Sequence, residues 1–178
     1  PSGFEPFPPQ AEFPDCAPLQ SWGRQLGLIN GTNGGDKRGW CCSQDAIEYF
    51  SCAATRNNTI WRVTSITIVN AELAGILPES LSRLTELLRL DLRCNQLQGT
   101  IAPSWSRLVK LKTLALFSNQ IEGSLPASLS ELTQLTSLLV QMNKLSGSLS
   151  GNLSFLTKLT HLSVHTNRLS GTIPVALS

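Results

Sequence analysis

From residue 81 onward the apolar positions follow a mixed beat: leucines at every third residue, then a short alternation, then an asparagine. One copy runs Leu81, Leu84, Leu87, Leu90, Leu92, Asn95, and the next runs Trp105, Leu108, Leu111, Leu114, Leu116, Asn119. Two more follow, Leu129, Leu132, Leu135, Leu138, Val140, Asn143 and Leu153, Leu156, Leu159, Leu162, Val164, Asn167. The closing anchor repeats every 24 residues as Ala71, Asn95, Asn119, Asn143 and Asn167. Two residues after each anchor stands Leu73, Leu97, Ile121, Leu145 or Leu169, and two further on is always a glycine: Gly75, Gly99, Gly123, Gly147, Gly171. A strict period of this length marks a solenoid, whose units bury their apolar faces only against their neighbours.

Each position has a physical reading. The alternating pair predicts a short strand with both apolar residues pointing inward, and strands of successive units pairing in parallel. The earlier leucines line the interior from the convex side. The asparagine sits at the turn, where its amide bonds the backbone of its own and the adjacent unit. Ala71 has no amide, so the first unit needs another solution, with Asn70 as the candidate. Glycine supplies the backbone freedom that the turn requires.

Upstream the pattern changes. Val63 to Ile68 alternates and is rich in β-branched residues, which predicts the first strand. Asp15 is placed to cap a helix with Pro18 in its first turn, Leu19, Trp22 and Leu26 on one face, and Gly27 at its end. Asn30 to Gly39 is a polar loop without the spacing of a phosphate-binding loop. Residues 1–14 carry Pro and Phe without periodicity and read as an extended arm or linker, with Phe4, Phe7 and Phe13 available to dock on a neighbouring subunit. The expected division is an arm over 1–14, a Cys-rich cap over 15–62 and repeats over 63–178 with an open C-terminal end. The start reads as an already processed terminus, and the end, inside a sixth unit, predicts a longer protein or a missing C-terminal cap.

Composition narrows the function classes. The chain is 41% hydrophobic and 15% charged, which suits a folded protein. From Val63 onward nine basic and six acidic side chains give +3, too weak and dispersed for a nucleic-acid footprint. No apolar run reaches the roughly 18 residues of a membrane span. Cys16, Cys41, Cys42 and Cys52 precede the repeats, and sequons begin at Asn30, Asn57 and Asn152. Together they point to a secreted or cell-surface glycoprotein. Four cysteines alone leave three pairings open.

These motifs resemble the plant-type leucine-rich repeat family, whose hallmark is LxGxIP after the ladder asparagine. Leu73 to Pro78, Ile121 to Pro126 and Leu169 to Pro174 match it, whereas Ala102 and Ser150 replace the proline in two units. The N-terminal segment resembles that family's cap, with a Trp-bearing helix, Trp40-Cys41-Cys42, a later Cys52 and then Arg62 to Ile68. The resemblance spans residues 15–178. It implies an α/β solenoid, a right-handed leucine-rich repeat superhelix with a parallel β-sheet on the concave face and a disulfide-stapled N-terminal cap. It also implies Cys16–Cys41 and Cys42–Cys52 disulfides and a second short strand near each LxGxIP.

Strand positions pointing away from the core read as columns. They hold Thr67, Asp91, Ala115, Leu139, Ser163; then Val69, Arg93, Phe117, Gln141, His165; then Asn70, Cys94, Ser118, Met142, Thr166; and, before the alternation, Ser65, Arg89, Thr113, Ser137, His161. Phe117, Leu139 and Met142 are apolar where solvent is expected, in adjacent units, with Arg93 and Gln141 beside them. Such a patch marks a partner surface. His161 and His165 share a strand face about 13 Å apart at about 3.3 Å per residue, too far to share a metal ion. Cys94 is the odd cysteine, a free thiol or a link to another chain. No paired carboxylates, nucleophile motif or cofactor fingerprint appears, so neither enzyme activity nor a cofactor is expected. The favoured function is an extracellular recognition module, as in a receptor, for a protein, peptide or glycan on the concave face. Alternatives are a structural matrix or cell-wall glycoprotein that self-assembles through its arm or solenoid ends, and, by family analogy, an inhibitor of a wall-degrading hydrolase.

Overall fold

The computed structural model describes residues 14–25, 48–54 and 60–172. In chain order its strands are β1 (Phe50–Ala54), β2 (Trp61–Thr67), β3 (Ala74–Ile76), β4 (Arg89–Asp91), β5 (Gln96–Gln98), β6 (Thr113–Ala115), β7 (Glu122–Gly123), β8 (Ser137–Leu139), β9 (Lys144–Ser148), β10 (His161–Ser163) and β11 (Arg168–Ser170). The main sheet has six strands in the order β1-β2-β4-β6-β8-β10. Its first pair is antiparallel and all later pairs are parallel. The register stacks Ile66, Leu90, Leu114, Leu138 and Leu162. The first four are fully buried. The short strands after each ladder position form two flanking parallel sheets, β3-β5 and β7-β9-β11.

Opposite the main sheet each unit makes a 3₁₀ turn: Glu79–Arg83, Pro103–Arg107, Ala127–Glu131 and Gly151–Phe155. This geometry explains the three-residue beat. A 3₁₀ helix has three residues per turn, so side chains at i and i+3 eclipse and point the same way. Leu81 lies in the turn, and the bonds from Leu84 N–H to the Leu81 carbonyl and from Leu87 N–H to the Leu84 carbonyl carry the same spacing onward, so all three are at zero exposure, with Trp105 filling the equivalent first site in the next unit. The residue before each turn is extended whether it is proline or not, since Ala102 (φ −69°) and Ser150 (φ −69°) match Pro78 (φ −75°) and Pro126 (φ −61°). Proline presets that angle but is not needed for it.

The ladder asparagines work backwards along the chain. Asn119 Oδ1 accepts from Leu97 N–H of the preceding unit at 3.0 Å, while its Nδ2 donates to Leu92 and Leu116 carbonyls at 2.9 and 3.0 Å. Asn143 and Asn167 repeat the scheme. The first unit is therefore served by Asn95, whose Oδ1 accepts from both Ala71 and Leu73 N–H and whose Nδ2 reaches the Ile68 carbonyl. Asn70, the expected substitute for the missing amide, is instead exposed with φ +53°. An amide at position 71 would serve a unit upstream, and the cap stands there instead.

The cap departs from expectation at Asp15. The helical segment is a 3₁₀ turn, Ala17–Leu19, continuing as α1 (Gln20–Gln25), and the N-cap position belongs to Cys16. Asp15 is buried and accepts from Arg62 Nη1 and Val63 N–H, both at 2.9 Å. A buried carboxylate needs a cation more than a helix end needs a cap, and this one joins the cap to β2. Leu19 and Trp22 are buried as the helical face requires. Leu26, Gly27, the 30–39 loop and the 1–13 arm lie outside the described residues. Cys16 and Cys52 are both disulfide-bonded, and their expected partners Cys41 and Cys42 also lie outside. β1, which the pattern did not predict, pairs with β2 on its free edge, so the cap adds a strand to the sheet of the repeats.

Candidate functional site on the solvent side of the main sheet

The core side of each strand repeats one residue type, whereas the solvent side changes from unit to unit. At its centre stands Asp91. By register it belongs to the outward column with Ala115 and Leu139, yet Asp91 is fully buried and Ala115 nearly so. Both were expected to lie open. Residues two apart on a strand share a face, so Arg89, Asp91 and Arg93 lie side by side. Arg89 Nη2 donates to Asp91 Oδ2 at 2.5 Å, and Arg93 Nε stands 3.6 Å from Oδ1. Oδ1 makes no hydrogen bond. The two guanidinium groups cover the carboxylate and remain close to half exposed themselves, at 45% and 42% of their side-chain surface. Arg93 also lies over the Phe117 ring of the next unit, 5.7 Å from its centroid, in cation–π range.

Beyond Phe117 the surface becomes apolar. Leu139 pairs with Ala115 across β6 and β8, and Ser118 N–H bonds the Gln141 carbonyl, so Phe117, Leu139, Gln141 and Met142 occupy adjacent strands. Phe117, Leu139 and Gln141 are half-buried, and Met142 is 50% exposed with Sδ 3.5 Å from Ser118 Oγ. The Gln141 Oε1 atom is buried without a hydrogen bond. Arg93, Phe117, Leu139, Gln141 and Met142 thus form one contiguous surface, with Arg89 and Asp91 as additional members. The columns placed that pair outward individually, but the signal for their union was the +, −, + alternation at two-residue spacing.

The remaining sequence candidates lie apart from this surface or at its edge. His161 and His165 are exposed, and each Nδ1 pairs with a threonine hydroxyl, Thr160 or Thr166, rather than facing the other ring. Among the described residues no group of three or more His, Cys, Asp or Glu side chains is arranged to hold a metal ion. Cys94 is free and exposed. Asn152 is exposed on the convex 3₁₀ turn, its N–H capped by Ser150 Oγ at 3.2 Å. The other two sequon positions, Asn30 and Asn57, lie outside the described residues. No described helix is long and apolar enough to cross a membrane.

Comparison with known proteins completes the picture. Two family models, both described as leucine-rich repeat, match residues 62–121 and 158–178. A chain of the BIR3–SERK2 complex from Arabidopsis thaliana is 34% identical with a TM-score of 0.76, covering 92% of this chain and 87% of that one. The chain belongs to the plant-type leucine-rich repeat family. A second family member, the BIR2 ectodomain from Arabidopsis thaliana, is 30% identical with a TM-score of 0.74, covering 90% of this chain and 82% of that one. A plant ice-binding protein is 30% identical with a TM-score of 0.73, covering 90% of this chain and 50% of that one. Among curated proteins none matches. The solenoid class and its family are thereby established.

Proposed function

We propose that this leucine-rich repeat protein is a non-enzymatic, secreted or cell-surface recognition module. Its ligand is a protein or peptide segment lying across Arg93, Phe117, Leu139, Gln141 and Met142. The carrying observation is a contrast within single strands: leucine is kept on the core side while an aromatic ring, a leucine, a methionine and an arginine break the pattern toward solvent. A surface with no partner has no reason to spend apolar area there. The BIR3–SERK2 assembly is a complex between proteins, which supports a protein or peptide occupant over a glycan. The disulfide-bonded Cys16 and Cys52 favour an oxidising compartment, and the sequon at exposed Asn152 suits a glycosylated outer face. The test is to pan a random peptide display library on the full chain and retest the selected peptides on Phe117→Asp. Loss of binding on the variant supports the reading, and unchanged affinity removes the concave site.

A second reading has an observation of its own. Thr100, Ser124, Ser148 and Thr172 are exposed at the same position of four successive units. A Cβ on the glycine of the next unit would meet Thr100, Ser124 or Ser148, so these side chains stand close beside the following glycines. A regular hydroxyl row suits ordered water, and one similar structure is that of an ice-binding protein. An ice-recrystallisation assay tests it: inhibition lost on Ser124→Tyr supports this reading, and absence of inhibition by the unaltered protein ends it.

A further inference from the structure

The charge inventory of the concave face narrows the ligand class, on the premise that this face is the recognition surface. Consider β2, β4, β6, β8, β10 and the three residues that follow each. Their only carboxylate is Asp91, which is fully buried under two guanidinium groups. The other ionisable side chains there are Arg62, Arg89, Arg93, His161, His165 and the Cys94 thiol. Arg62 is engaged by Asp15 of the cap. Among the described residues of these strands and the segments that follow them, the face therefore presents cations to solvent and no anion. Asp91 also draws the two arginines together, because Arg89 donates to one of its oxygens and Arg93 stands 3.6 Å from the other. With Nε turned toward Asp91, the outer nitrogens of Arg93 stay free to donate. Guanidinium donors fixed in this way bind a carboxylate with little further loss of side-chain freedom.

One and two units further along lies the shelf of Phe117, then Leu139 and Met142. A ligand that satisfies both regions carries a carboxylate and, next to it, an apolar side chain. An acidic polysaccharide meets the first demand and not the second. We propose that the concave face takes an extended acidic peptide, with carboxylates on Arg89 and Arg93 and a neighbouring apolar side chain on the Phe117–Leu139–Met142 shelf. An extended chain crossing the parallel strands meets successive units about 4.8 Å apart. Asp91 is the positioning residue of this arrangement, since it holds the arginines without facing the ligand.

The test uses fluorescein-labelled peptides of alternating glutamate and leucine, the same peptide with glutamine, and the same with lysine, titrated into the full chain by anisotropy. The expected order is glutamate over glutamine by about tenfold, with lysine weakest. The glutamate preference shrinks as salt is raised, as exposed charge pairs do. The Arg89→Gln/Arg93→Gln double variant equalises glutamate and glutamine, while Arg89→Lys/Arg93→Lys keeps part of the preference and controls for folding. Phe117→Ser weakens both peptides. Equal binding of the glutamate and glutamine peptides, both sensitive to Phe117→Ser, overturns the acidic ligand and leaves the concave reading standing. Binding that responds to neither the arginine variants nor Phe117→Ser overturns both. Failure of the glutamate peptide to bind overturns the proposal. So does a polygalacturonate oligomer that competes equally well on the unaltered protein and on Phe117→Ser.

Discussion

The two sides of the main sheet are built from the same strands but obey different rules. On the core side Leu90, Leu114, Leu138 and Leu162 repeat through the register. One residue later, on the other side, stand Asp91, Ala115, Leu139 and Ser163. A solenoid unit can be buried only by its neighbours, so the inner side tolerates little variation. The outer side carries no such constraint, and its departures from repetition are where the proposed ligand contacts lie. Side chains that break the period deserve a functional question, and those that keep it answer a structural one.

Substitutions on each side turn this contrast into numbers. The largest effect is expected for Leu114→Ala, a fully buried truncation that costs about 2–5 kcal/mol by denaturant unfolding. Asn119→Ala strands Leu97 N–H and two carbonyls and costs about 2 kcal/mol or more, read in the same way. Gly99→Ala follows. At φ +82° its methyl would come within 2.6 Å of Ile76 Cγ2, although exposed Ile76 can turn aside, so the loss is about 1–2 kcal/mol in thermal unfolding. Cys94→Gly has the opposite sign: Cys94 sits at φ +58°, where glycine is at ease, and the melt is expected to rise by the equivalent of up to about 1 kcal/mol. Phe117→Asp gives up a half-buried ring and its contact with Arg93, so it is expected to cost about 1 kcal/mol, well below the core truncation, while removing ligand binding. A large loss of stability there would erase the distinction between the two sides.

The same contrast explains what the sequence discloses. The core positions and the parallel strands are legible because every unit restates them, while the flanking strands near each LxGxIP followed from the family resemblance. The 3₁₀ geometry of the convex side was present in the three-residue beat, but a beat alone does not distinguish a tight helix from an irregular loop with leucines. Non-repeating features are harder to read. Local capping rules put Asp15 at a helix start, whereas its partners Arg62 and Val63 lie 47 and 48 residues away. β1, with sequence FSCAA, has neither alternation nor β-branched residues and owes its strand to the open edge of β2. Column arithmetic turned Asp91 outward correctly but could not tell that two arginines from its own segment would fold over it. That Arg93, Phe117, Leu139, Gln141 and Met142 lie near one another was legible in the sequence because it needed only the register. Arg89 and Asp91 joined them once side-chain positions were known.

The ladder gives the solenoid a direction. Each asparagine closes the turn of the unit before it, so a unit is finished by its successor and never by its predecessor. Assembly of the turns is therefore asymmetric: loss of a unit from the C-terminal side reopens the turn just upstream, whereas the N-terminal unit leaves no turn behind it unclosed. The same asymmetry bears on how such chains lengthen. A unit copied in register arrives with the amide its upstream neighbour requires and the turn its downstream neighbour will close, so growth by duplication brings its own hydrogen bonds. Ala71 marks where that inheritance starts: it is the one anchor that owes nothing to a unit before it.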